Sequence, residues 1–103
     1  MSRAVDFSEE AGDDVSFAAR YYAGMRPGLG GEFSDAVVDL AYELADHPRR
    51  GREIRPGVRQ TVLRRFPYLI FYAVEGERLI VIAVISSARD PTYIDRVLSE
   101  RRI

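Results

Sequence analysis

Three segments in the C-terminal half of the chain are continuously apolar or alternate between apolar and polar residues: Thr61–Phe66, Tyr68–Val74 and Leu79–Ile85. They are rich in valine, isoleucine, phenylalanine and tyrosine, which favour β-strands. Only Pro67 and the short Glu75–Arg78 turn separate them. The pattern predicts a three-stranded antiparallel meander, and its last two strands form the clearest hairpin in the chain.

In most of the N-terminal half, the apolar residues are spaced as they are in amphipathic helices. A short alternating segment, Ala4–Phe7, predicts an edge strand, and Ser8 suits the N-cap of a helix. The first helix is predicted over Glu9–Gly24, with acids in its first turn, where the helix dipole favours them. Its apolar stripe consists of Ala11, Val15, Ala18 and Tyr22, with Phe17 and Tyr21 widening the face.

A second helix is predicted over Leu29–Asp46, after a break at Pro27 and Gly28. Because the break is so short, the two helices are expected to form an antiparallel hairpin with one face on the sheet. The stripe of the second helix is Leu29, Phe33, Val37, Leu40 and Leu44.

The remaining segments are shorter. A basic loop follows His47-Pro48, Ile54–Pro56 is expected to be extended, and Thr92–Arg101 has helical spacing. The order is therefore β-α-α-β-β-β-α, which predicts an α+β two-layer sandwich with helices on one face of a mainly antiparallel sheet. A chain of 103 residues is expected to form a single domain over 1–103.

Composition excludes several classes of protein. Hydrophobic residues make up 47% of the chain, a globular value. Cysteine is absent, which excludes disulfides, thiolate chemistry and cysteine-based zinc sites. With a single histidine, His47, we expect no metal site and no cofactor. No segment has the pattern of a signal peptide or a membrane span, so a soluble cytoplasmic protein without a membrane partner is expected.

Charge is divided between the two halves of the chain. Residues 1–46 carry three arginines and ten acids, whereas residues 47–103 carry twelve arginines and six acids. This asymmetry is typical of a protein whose basic half binds an anionic partner. Equally, acidic helices and basic strands could neutralise each other within the fold, and charge alone leaves both interpretations open.

All fifteen basic residues are arginine. Arginine binds carboxylates and phosphates in bidentate fashion but is a poor general base, and the absence of lysine excludes lysine-dependent chemistry. The bias is also compatible with genome composition. The candidate partner-binding residues are Arg49, Arg50, Arg52, Arg55, Arg59, Arg64, Arg65, Arg89 and Arg96.

Several strings occur in a characteristic order over about ninety residues. They are Val5-Asp6-Phe7-Ser8, Tyr21-Tyr22, Gly28 to Phe33, Pro48–Gly51, Val58-Arg59, Arg65 to Tyr72, Ile82-Ala83-Val84, Arg89-Asp90-Pro91 and Arg96. In this order and spacing the chain resembles the RelE/ParE superfamily of bacterial toxins, and within it the ParE-like, plasmid-stabilisation branch. Related toxins often carry a histidine and an arginine just before Arg-Asp-Pro, where this chain has Ser86-Ser87-Ala88.

The resemblance implies the toxin of a type II toxin–antitoxin module. It implies that the toxin binds an essential target such as DNA gyrase without cutting it, and that an acidic antitoxin folds onto the toxin as a hetero-oligomer. Such an antitoxin tail would lie as a helix or strand along the sheet and the helical hairpin and meet the arginines of residues 49–65.

Two alternatives remain. One is a metal-independent ribonuclease of the RelE type acting on mRNA at the ribosome, with Arg59, Arg65, Arg89 and Tyr93 as candidate catalytic residues. Arginines could stabilise phosphorane charge, but Tyr93, with an ordinary pKa of roughly 10, would need strong activation to act as a base. The other is a non-toxic binding module that retains the fold.

Other polar residues have structural interpretations. Arg64 and Arg65 are expected on a strand, so their side chains would point to opposite faces, and which one points outward is left open. His47 suits a helix C-terminus, and Asp90 a turn or helix cap. The pairs Glu9/Glu10 and Asp13/Asp14 are expected to be solvated. Tyr21, Tyr22, Tyr68 and Tyr72 are expected to form a half-buried rim, with base stacking as the alternative.

Overall fold

The computed structural model describes residues 3–101. Its elements are β1 (Ala4–Phe7), α1 (Glu9–Met25), α2 (Leu29–Asp46), β2 (Arg52–Arg55), β3 (Val58–Leu63), β4 (Tyr68–Glu75), β5 (Arg78–Ser86) and α3 (Pro91–Glu100). The predicted α+β order is confirmed, with one addition. A fifth strand, β2, forms where the sequence predicts only a short extended piece at Ile54–Pro56.

The five strands form one sheet in the order β1-β5-β4-β3-β2. Strand β1 is parallel to β5, and the other three pairs are antiparallel. The β4–β5 hairpin pairs along its whole length, from Tyr68 opposite Ser86 to Glu75 opposite Arg78. The predicted meander and the edge position of Ala4–Phe7 are both confirmed.

Helices α1 and α2 pack together on one face of the sheet, as their apolar stripes predict. Phe33, Val37 and Leu44 are fully buried there. Phe17 and Tyr21 are the exception, because 72% of Phe17 and 62% of Tyr21 are exposed. Their assignment to the buried face was wrong, since a rotation of about 100° per residue turns Phe17 away from its buried neighbour Ala18.

An aromatic cluster joins the helical hairpin to the sheet. The ring of Tyr22 lies 4.9 Å from that of Phe66 and 5.3 Å from that of Phe33. Burial raises the pKa of the Tyr22 and Tyr68 hydroxyls. The expected half-buried rim is therefore uneven: Tyr68 is half-buried, Tyr22 is buried, and Tyr72 belongs fully to the core.

Helix α3 covers the opposite face of the sheet. Its Val97 and Leu98 pack in a second core with Phe71 and Ile82. The two-layer arrangement thus describes the N-terminal hairpin, while α3 adds a partial third layer. Every residue of β4 from Ile70 to Ala73 is buried because both faces are covered.

Arg64 and Arg65 do not lie on a strand. Leu63 pairs directly with Tyr68, so the chain must reverse between them, and residues 64–67 form the turn. The expectation that the two side chains point to opposite faces was therefore wrong, and both are exposed. Phe66 also leaves the strand but inserts its ring into the core.

Within residues 3–101, no helix is both long enough and apolar enough to cross a membrane.

Candidate partner-binding surface

The loop between α2 and β2 carries two of the candidate arginines and is held by a buried tyrosine. The hydroxyl of Tyr72 donates to the carbonyl of Pro48 at 2.8 Å and accepts from the N–H of Gly51 at 2.9 Å. A Cβ at Gly51 would collide with that hydroxyl, which explains the glycine. Burial raises the pKa of Tyr72, so it remains a neutral donor.

Arg59 fixes the same loop from β3. Its guanidinium donates to the carbonyl of Gly51 at 2.6 Å, and its side chain is half-buried. Arg59 therefore acts first as a support for the loop. Arg49 is exposed within the fixed segment and Arg52 is exposed just after it, while Arg50 pairs with Glu43 of α2 at 3.0 Å.

The turn after β3 presents two further arginines. Arg65 donates to Glu32 of α2 at 2.6 Å, and Arg26 approaches the same carboxylate at 3.2 Å. Hydrogen bonds from Arg65 and then Arg26 lower the pKa of Glu32 below its ordinary value. Arg64 is exposed and makes no ion pair with any residue between 3 and 101.

A cleft of about 360 Å³ lies on the α3 side of the sheet, and we call it the outer cleft. Ile54, Leu69 and Ile94 form its apolar lining, while Arg52 and Arg89 line it with positive charge. Arg55, which also lines it, is paired with Asp95 at 3.3 Å. The outer cleft therefore brings together candidates that are far apart in sequence.

Arg89 stands at the rim of the outer cleft, just before α3. Its guanidinium lies 4.1 Å from the ring centre of Tyr93, and that of Arg96 lies 5.6 Å from the same ring. Asp90 caps α3 by accepting from the N–H of Tyr93 at 2.9 Å, as its position before Pro91 predicts. Cation–π contacts thus group Arg89, Arg96 and Tyr93.

The four candidate catalytic residues are divided among three environments. Arg89 and Tyr93 are in contact, whereas Arg59 is bound to the basic loop and Arg65 to α2. Ser87 lies in the turn after β5 and donates its backbone N–H to the carbonyl of Pro67 at 2.8 Å. The only histidine, His47, forms the C-cap of α2, as expected.

The ion pair of Asp14 contradicts an expectation from the sequence. Asp14 was expected to be solvated, but it accepts two hydrogen bonds from Arg101, at 2.6 and 2.9 Å, and one from the N–H of Val84 at 2.9 Å. Less than a fifth of either side chain is exposed. The position of Asp14 in the sequence does indicate this burial, because Asp14 lies three residues after Ala11 and four before Ala18, both of which are buried on the same side of the helix.

The Asp14–Arg101 pair lines a second cleft, of about 540 Å³, beside the part of β5 that β1 does not reach. Phe17, Arg20 and Arg89 also line it. Arg101 donates in addition to the carbonyl of Ile82 at 3.0 Å. Side chains of this chain thus occupy the N–H of Val84 and the carbonyl of Ile82 on that edge.

A family profile described as ParE toxin of the type II toxin–antitoxin system parDE matches residues 5–91. The chain belongs to the ParE toxin family. A search of curated proteins finds no match.

Solved structures share the ParE fold seen here. The chromosomal ParDE system of P. aeruginosa aligns with a TM-score of 0.72 and 19% identity, covering 82% of this chain and 96% of that one. The RelBE2 toxin–antitoxin complex of Mycobacterium tuberculosis gives 0.60 and 22% identity, covering 84% and 99%. The isolated E. coli RelE toxin gives 0.52 and 20% identity, covering 95% and 98%.

Proposed function

We propose that this ParE family toxin arrests growth by binding DNA gyrase, and that a cognate antitoxin encoded beside it neutralises it. The observation that carries the proposal is the family match over residues 5–91. The module would act in the cytoplasm and serve plasmid stabilisation. Binding, rather than cleavage, is the proposed mode of inhibition.

The arrangement of the candidate residues supports binding over RNA cleavage. Cleavage by 2′-OH attack needs a base and a cluster of cations around one phosphate. Arg59 and Arg65 instead make their contacts with the basic loop and with Glu32. Tyr93 lies beneath the guanidinium groups of Arg89 and Arg96, and arginine is a poor general base.

The outer cleft is the surface that we assign to the target. It combines an apolar lining with Arg52 and Arg89 at its margins. Apolar contacts at the centre and arginines around them are typical of protein–protein binding sites. Arg96, held near Tyr93, extends the basic surface along α3.

The test is a gyrase supercoiling assay with the purified protein. We expect inhibition at micromolar protein, and an R52A/R89A variant should need about tenfold more protein because two contacts at the rim are lost. Arg78→Ala is the matched control, since Arg78 is exposed at the far end of β5 and pairs with Asp6. Absence of inhibition by the wild-type protein would refute gyrase as the target.

Growth and translation assays separate the alternatives. Induced expression should stop growth, and co-expression of the adjacent gene should restore it. Incubation with mRNA and translating ribosomes should leave the mRNA intact, whereas clear cleavage would favour the ribonuclease. A protein that neither arrests growth nor inhibits gyrase would be the non-toxic binding module.

A further inference from the structure

Helix α1 carries an exposed row of apolar side chains. Phe17, Tyr21 and Met25 follow one another four residues apart, so they lie along the same side of the helix. They are the most exposed large apolar side chains between residues 3 and 101, at 72%, 62% and 62%. Monomeric proteins rarely leave several such side chains next to one another on one surface. The row, which we call the apolar row of α1, is therefore a candidate interface.

Two opposite charges lie beside this row. Asp13 is four residues before Phe17, and Arg20 is three residues after it, so both are neighbours of Phe17 on the helix surface. Both are exposed, and neither makes an ion pair within the part of the chain that the structure describes. This side of α1 is thus acidic before Phe17 and basic after it.

The distribution of charge is complementary to itself. If two copies of α1 lie antiparallel across a twofold axis at Phe17, Asp13 of each copy faces Arg20 of the other, and the two Phe17 rings meet at the centre. A parallel arrangement would instead set acid against acid and arginine against arginine. A side chain at Gly24, further along the helix, would have open space around it, so a second helix can approach the backbone closely there.

We infer that this protein forms a twofold-symmetric homodimer through α1, with the apolar row at its centre and an Asp13–Arg20 pair on either side. One helix face is smaller than a standard protein interface, so the dimer is weak, with a Kd of about 10–100 µM. The outer cleft stays open in this dimer, because it lies on the α3 side of the sheet, opposite the helical hairpin. The inference is therefore independent of the proposed function, and gyrase inhibition can fail without affecting it.

Sedimentation velocity of the full chain tests the inference over a range of about 5–500 µM protein, across which the wild type should pass from monomer to dimer. Phe17→Glu should weaken the dimer at least about tenfold, because it buries a charge at the centre of the interface. Tyr42→Glu is the matched control, since Tyr42 is an exposed aromatic residue of α2 outside the apolar row. It should leave the Kd within about twofold of the wild type, and circular dichroism verifies that each variant is folded.

Exchange of the two charges tests the antiparallel arrangement. Asp13→Arg sets arginines against each other and Arg20→Asp sets aspartates against each other, so each variant alone should dimerise about tenfold more weakly. In an equimolar mixture, one variant supplies only arginines at these two positions and the other only aspartates, so a heterodimer of about wild-type affinity should form.

Three results would overturn the inference. A wild-type protein that stays monomeric at the highest concentration would mean that a different molecule covers the apolar row. A dimer that Phe17→Glu leaves intact would place the interface elsewhere on the protein. A mixture of the two charge variants that associates no more tightly than either variant alone would exclude the antiparallel pairing of Asp13 with Arg20.

Discussion

Removal of the Asp14 carboxylate should destabilise the fold far more than its position on an acidic helix suggests. Asp14→Ala removes a bidentate pair with Arg101 and the acceptor of the Val84 N–H. The backbone hydrogen bond contributes about 1 kcal/mol, and the charge-assisted pair contributes roughly 1–2 kcal/mol because its side chains are mostly shielded from solvent. The expected loss is therefore roughly 2–3 kcal/mol, or a fall in Tm of roughly 10–20 °C.

Urea unfolding followed by circular dichroism measures this loss, and Asp13→Ala is the matched control. Asp13 is the adjacent acid on the same helix and is exposed. Its substitution should change the free energy of unfolding by less than about 0.5 kcal/mol. Equal effects of the two substitutions would refute the assignment of Asp14 as a structural ion pair. A double-mutant cycle with Arg101→Ala isolates the pairwise energy.

Three further predictions concern the loop, the helix contact and pH. Tyr72→Phe should destabilise by about 1–2 kcal/mol in urea because two hydrogen bonds to the basic loop are lost, whereas Tyr42→Phe at an exposed site should change almost nothing. Gly30→Ala should lower Tm because its Cβ would meet the backbone of α1, whereas Gly31→Ala, with open space around it, should raise it slightly. The pKa of Glu32 is lowered in the fold, so its stabilising contribution is present above its ordinary pKa of 4.5 and is lost as the pH falls through the folded value. The difference in urea midpoint between wild type and Glu32→Gln should therefore be largest at pH 7 and shrink as the pH is lowered below 4.5, and a constant difference would contradict this.

The regular elements were predictable because their information is local. The stripe Phe33, Val37, Leu40 and Leu44 recurs with the helical period, and the observed helix has the predicted bounds Leu29–Asp46. Pro27 marked the break before α2, and Asp90 the start of α3. The turn at residues 64–67 was not predicted, because the composition of Thr61–Phe66 favours a strand over its whole length. Its position is set by the pairing of Leu63 with Tyr68, which is a contact between strands.

The candidate site was predictable only as a list of arginines. Their excess in the C-terminal half was evident from the sequence, but their roles depend on which acid or carbonyl lies within reach. Arg59 and Arg65 are engaged by Gly51 and Glu32, while Arg64 makes no ion pair within residues 3–101. These differences arise from contacts between residues that are separated in sequence. The periodic pattern of apolar residues does not predict such contacts.

By itself, the sequence determined the type and order of the elements and, through its strings, the toxin family. The elements depend on patterns that repeat within a helical turn or along a strand, and the family depends on the order of the strings along the chain. Tertiary structure alone decided that β2 pairs with β3 only as far as Gln60 and that Asp14 binds Arg101. Those outcomes follow from strand order and from the side of the sheet on which each helix packs, because the fold brings distant residues to one place.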